Sequence, residues 1–324
     1  MIINFLTVIY MLIAVLALGL AVPAAVVGSR VARGWKAESG LEERHELEKR
    51  VYLVITLMAV GLSLRLALVP LWFLTLSSLI SHVPGAMCLA GVHMLDSPWS
   101  FVASALKIVV PLAYAYWLVL NALDRRIASQ PLMRLKLLLL APVALLLIAE
   151  SGLDFHVLAS VEPRSVSCCT SLFDMPKSEL AKAVSSSTSL WVWMFAGLGA
   201  AAIGLSIAVG RRPTMLWRTI LVMAASGTIV TFPLALHSKL STVLLHAPFH
   251  HCLFCVIKMS VDVPVASALV IGGSWLAFVA GTLPSRVQKR AHRAMLERLL
   301  TGAVAVLGSG MLLLAVRTVL EVMQ

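Results

Sequence analysis

A chain of 324 residues that is 60% apolar and only 13% charged, with a mean hydropathy of +0.95, lies outside the range of a soluble domain. The net charge of +11 is accompanied by no G-x-x-x-x-G-K-[ST] loop, G-x-G-x-x-G fingerprint or RNA- or DNA-binding module, which argues against nucleotide chemistry and nucleic-acid partners. The composition predicts an all-α integral membrane protein.

Windows long enough to span a bilayer fall near 2–28, 51–72, 100–121, 133–149, 189–209, 215–235, 263–283 and 299–319, giving about eight transmembrane helices. The first is read as a retained helix rather than a cleavable leader, because no basic residue precedes it and Arg30, Arg33 and Lys36 follow it. The segments 29–50, 122–136, 210–218 and 284–298 hold eighteen of the twenty-six Lys and Arg, against five in the alternate loops 73–99, 150–188 and 236–262. Positive-inside bias then makes the first set cytoplasmic and both termini extracytoplasmic, in a cytoplasmic (inner) membrane. Lys36 to Arg50 alternates acid and base at helical spacing, as expected of a solvated extension of the second span or of a docking site for a cytoplasmic partner.

With this orientation all five cysteines, Cys88, Cys168, Cys169, Cys252 and Cys255, lie on the extracytoplasmic, periplasmic side. Seven of nine histidines join them: His82, His93, His156, His237, His246, His250 and His251. The stretch from His82 to Val92 aligns without a gap to that from His246 to Val256, both reading H-x-P-x-x-x-C-L-x-x-V. The offset of 164 residues (246 − 82) also carries the second, third and fourth spans onto the sixth, seventh and eighth. The expected organisation is therefore two tandem four-helix repeats in parallel orientation, 1–150 and 189–324, joined by an extracytoplasmic loop, 151–188, that holds the vicinal Cys168–Cys169 pair. Related by a pseudo-twofold axis along the membrane normal, such repeats would bring Cys88 and Cys252 towards each other.

Thiolate and imidazole are the ligands of Zn and Cu(I), and Cu(I) also accepts thioether, so Met87, Met94, Met175 and Met259 enter the candidate set. The expected metal ligands are Cys88 and Cys252 as the symmetric core, with Cys255, His250 and His251. His82 and His246 would be direct or supporting contacts, and Cys168–Cys169 a pair that delivers or receives the ion. Copper is placed ahead of zinc, and the partner would be an extracytoplasmic metallo- or redox protein in metalloenzyme maturation, metal resistance or membrane electron transfer. Structural disulfides fit less well: five is odd, a vicinal bond is strained and a C-x-x-C bond closes a short loop.

Thiol–disulfide exchange is the competing chemistry, with Cys252–Cys255 as redox pair and Cys168–Cys169 as exchanging pair. That arrangement resembles the quinone-coupled disulfide-forming membrane proteins, which implies a quinone cofactor. Arg65 and Lys107 lie within apolar sequence and must face the bundle interior. No acid is expected at their depth, since Asp124 and Glu150 fall at predicted helix ends, so an anion, a quinone head group or water is the expected partner. A transporter whose path passes these two cations is a third reading. His237 near a helix end is a lesser candidate for a b-type haem, and the Gly197, Gly199, Gly204 and Gly272–Gly273 positions fit close helix packing.

Overall fold

The computed structural model describes residues 4–34, 41–86, 88–125, 132–162, 165–166, 188–246, 252–283 and 290–323. Every element among them is helical, and eight helices are long and apolar enough to cross a membrane. Lipid offers no hydrogen-bond partner to a backbone, which leaves the helix as the element that satisfies each N–H and C=O within its own segment. Large apolar side chains point outward along these helices, among them Leu12, Leu66, Leu145, Trp193, Met223 and Leu312. Charged and hydroxyl groups such as Arg65, Lys107, Asp154, Ser206 and Thr228 are buried, an inversion of the soluble pattern.

The chain divides into two compact units, Met1–Ser167 and Cys168–Gln324. In the first, α1 (Phe5–Gly34) packs on α2 (Leu41–Ser78), followed by a 3₁₀ turn (Ile80–His82) and the short α3 (Leu89–Met94). Next come α4 (Trp99–Asp124) and α5 (Met133–Leu138), which runs on into α6 (Leu140–Ser160). The buried face of α1 is a seam of small residues, Ala14, Ala17, Ala21, Ala24, Ala25, Gly28 and Ala32. Recurring every three to four residues, it lets α2 and α6 approach closely where side-chain bulk would hold them apart. Tyr10 replaces the small residues at the end of this seam and packs with Leu68, Trp72 and Leu76 of α2 and Val157 and Leu158 of α6.

In the second unit, α7 (Thr188–Arg211) packs on α8 (Met215–Ala235). Thr214 caps α8 by accepting from the Trp217 N–H at 3.4 Å. Pro233, which has no N–H to donate, is followed by a π-turn at Leu236–Leu240 that carries His237, and then by α9 (Ser241–Leu244). The short α10 (Leu253–Met259), α11 (Asp262–Thr282) and α12 (Arg290–Met323) complete the unit. A Cβ at Gly273 of α11 would lie 2.3 Å from the Leu307 backbone nitrogen of α12, so this crossing depends on glycine.

Most of the spans run further than the apolar windows predict, the second over His45–His82 rather than 51–72. The fourth extends over Met133–Ser160 rather than ending at residue 149, and the sixth over Met215–Leu244 rather than 235. In the fourth, Glu150 and Asp154 interrupt the apolar run but not the helix. The reason lies in what they face.

Candidate functional site

In the first unit α2 ends, the chain turns through His82, Pro84 and Gly85, and Cys88 stands immediately before α3. Gly85 takes a left-handed φ of 82°, and a Cβ there would lie 2.3 Å from the Val166 carbonyl oxygen. Val166 donates in turn to Pro84 O at 3.0 Å, so the turn is tied down by the strand of chain that follows α6. Cys88 is 8% exposed and His82 is exposed, its Nδ1 3.2 Å from Ser81 Oγ. His93, one turn along α3, is fully buried. Its Nδ1 lies 2.9 Å from Leu89 O, which requires the proton on Nδ1. Nε2 then accepts from Ser104 Oγ at 2.7 Å, and Ser104 accepts from Trp72 Nε1 at 3.0 Å. Burial holds the His93 imidazole below its ordinary titration range, consistent with this neutral tautomer.

The second unit repeats the local motif. Cys252 is fully buried and stands immediately before α10, whose first residue, Leu253, matches Leu89 of α3 at the 164-residue offset (253 − 89). Cys255, half-buried, sits one turn further, and the Cys252 and Cys255 sulfurs lie within 4.8 Å of one another. Metal–sulfur bonds of about 2.3 Å allow two ligands of one ion to stand up to about 4.6 Å apart, close to the 4.8 Å within which this pair lies. The thiols of Cys252 and Cys255 could together hold a metal ion, and Cys88 offers a thiol donor within the first unit. His246 faces elsewhere: it sits at φ 49° and its Nε2 contacts Glu321 of α12. Glu321 also contacts Arg317, and Arg317 Nε is 3.2 Å from Asp262. His250, His251, Cys168 and Cys169 lie outside the described residues, as do Met87 and Met175.

Arg65 and Lys107 do face the interior of the first unit, but the expectation that they lack acidic partners is overturned. Arg65 Nη1 lies 3.2 Å from Glu150 Oε2, and its Nη2 donates to Ser151 Oγ. Lys107 Nζ donates to Glu150 Oε1 at 2.7 Å and to Asp154 Oδ2 at 2.5 Å. Tyr10 donates to the same Asp154 oxygen at 2.6 Å. The Lys107 ammonium also stands 5.0 Å from the Trp72 ring centroid and 5.4 Å from that of Tyr10. Two cations and two anions thus balance one another among helices α1, α2, α4 and α6, and neither a quinone nor an anion is needed to compensate Arg65 and Lys107. Sequence reading missed Asp154 and Tyr10. The signal for Asp154 was its i, i+4 spacing from Glu150, which puts both carboxylates on one helix face. No family model, curated protein or solved structure matches this chain.

Proposed function

We propose that the chain is a multi-pass protein of the cytoplasmic membrane that binds a soft transition metal, copper ahead of zinc, through extracytoplasmic thiols and hands it to a periplasmic metalloprotein. The observation that carries this reading is the Cys252–Cys255 pair, with its sulfurs within 4.8 Å. It is supported by a second buried cysteine, Cys88, at the equivalent place before the short helix of the first unit. In this reading Cys88, Cys252 and Cys255 are the core ligands, and His250 or His251 supplies a further donor. Cys168–Cys169 exchanges the ion with the partner. Three thiolates alone suit Cu(I), whereas a histidine as fourth donor would close a Cys3His tetrahedron for Zn. The outward placement of these residues rests on the basic segments that alternate with them.

A quinone-linked thiol oxidoreductase would use the same Cys252–Cys255 pair, but its membrane-embedded cations already have carboxylate partners. The test is metal content with parallel thiol counting on protein purified anaerobically, for wild type and for Cys88→Ser and Cys252→Ser. Near-stoichiometric copper or zinc that is lost in both variants is the expected result. Metal-free protein with two disulfides and one thiol would overturn the proposal in favour of thiol exchange.

A further inference from the structure

The four-charge cluster of the first unit plays no part in the metal chemistry above, and stability does not explain it. Replacing a buried ion pair or triad with well-packed apolar residues is often neutral or stabilising. The second half of the chain carries no such set at the offset that aligns its cysteine motif. At the 164-residue offset Arg65, Lys107, Glu150 and Asp154 correspond to Ile229 (65 + 164), Ile271 (107 + 164), Leu314 (150 + 164) and Thr318 (154 + 164). All four charges are absent there as a set. Ionisable groups held at such depth commonly mark proton or ion pathways.

The two oxygens of Asp154 are unlike. Oδ2 accepts from both Lys107 and Tyr10, while Oδ1 is buried and accepts no hydrogen bond among the described residues. Arg65 Nε and the Tyr114 hydroxyl are likewise buried without a hydrogen-bond partner among the described residues, while Glu150 Oε2 has the Arg65 Nη1 contact at 3.2 Å. The titratable and charged groups that act on Asp154 are Tyr10 on α1, Lys107 on α4 and Glu150 on its own helix, with Arg65 on α2 reaching the cluster through Glu150. Lys107 bridges the two carboxylates. It can therefore keep its charge partnered by Glu150 if Asp154 becomes neutral.

We propose that Asp154 is an intramembrane proton-binding site, taking up and releasing a proton at Oδ1 while Lys107 passes from bridging both carboxylates to pairing with Glu150 alone. Uptake forms one O–H bond, oxidises and reduces nothing, and changes the formal charge of the cluster from zero to plus one. Because that charge appears within the span, proton occupancy responds to the membrane potential as well as to pH.

The experiment is infrared spectroscopy of the full-length protein in lipid nanodiscs, titrated with acid in H2O and D2O, so that the proton is the probe and no metal is needed. The wild type is expected to gain the carbonyl-stretch band of a protonated buried carboxylic acid as pH falls. The band should shift in D2O, disappear in Asp154→Asn and persist in Glu150→Gln. Tyr10→Phe keeps the ring and removes a hydrogen bond to the ionised form. It should move the midpoint to higher pH by about one pH unit, a test that stands even if Asp154→Asn does not fold. Absence of the band at every pH where the protein stays folded, its survival in Asp154→Asn, or an unmoved midpoint in Tyr10→Phe would each overturn the proposal. Thiol-bound metal in these variants should match wild type, so failure here is distinct from failure of the metal site.

Discussion

Replacing Lys107 with Met removes a cation that is 1% exposed and lies within 2.7 Å of two carboxylates. Glu150 retains Arg65 at 3.2 Å, so the loss falls mainly on Asp154, which among the described residues keeps the Tyr10 hydroxyl alone. Breaking a buried pair on one side costs about 3–5 kcal/mol, because a charge is left without its counterion. For a unit of 167 residues that corresponds to a fall of about 10 °C in melting temperature. Adding Asp154→Asn to Lys107→Met restores neutrality, and the double variant should be less destabilised than the sum of the singles by about 2–3 kcal/mol. Thermal unfolding followed by tryptophan emission suits the question, because the Trp72 ring lies 5.0 Å from Lys107 Nζ and reports on the cluster itself. A Lys107→Met melting point within a degree or two of wild type, or strictly additive single and double variants, would refute the reasoning.

Gly273→Ala should destabilise the second unit by about 1–3 kcal/mol, since its Cβ would press on the Leu307 backbone, whereas Gly197→Ala, which has open space, should leave the melting point unchanged. Equal melting points for the two variants would count against the close α11–α12 crossing. His93 is held below its ordinary value of 6.5 by burial, so below that pH the unfolded chain binds a proton that the folded chain does not. Stability is therefore expected to fall as pH drops below about 6.5, and His93→Gln should flatten that part of the stability–pH curve. An unchanged curve in His93→Gln would show that other groups govern the acid limb.

The class of the molecule and the number of long helices were legible in hydropathy alone, because lipid imposes one solution on every apolar stretch of sufficient length. Their ends were not. A window centred on apolar residues stops at Glu150, yet α6 continues to Ser160 because Lys107 and Arg65 supply from other helices what the bilayer cannot. The two cations were visible as interior-facing from their position in apolar sequence, but their partners lie 43 to 85 residues away (150 − 107 and 150 − 65). Such pairing is a tertiary fact that no local period encodes. Cys88 and Cys252 were legible for the opposite reason. Each is embedded in a local H-x-P-x-x-x-C-L motif, and each precedes a short helix that begins at the following leucine. Their histidine companions show the limit of motif reading: His246 shares the motif but turns to Glu321, and the buried histidine of the first unit is His93, outside the motif.

Taken separately, the two units place their polar groups differently around a similar order of helices. Both set a buried cysteine before a short helix, and there the pattern of the two sequences coincides. Deeper in the helices they differ, with two basic and two acidic side chains paired in the first unit and Ile229, Ile271, Leu314 and Thr318 at the matching offset in the second. In the second unit the comparable charges, Asp262, Arg317 and Glu321, gather near the end of α12 and the start of α11. Charge near a helix end can reach water by extending its side chain, whereas charge in mid-span must be neutralised by other helices. Only the first unit therefore has a reason to keep Tyr10, Arg65, Lys107, Glu150 and Asp154 together. Exchanging all four charged residues for their second-unit counterparts should leave the first unit folded and its thiol intact while abolishing acid-dependent protonation. That outcome would separate the role of the cluster in function from any role in holding the helices together.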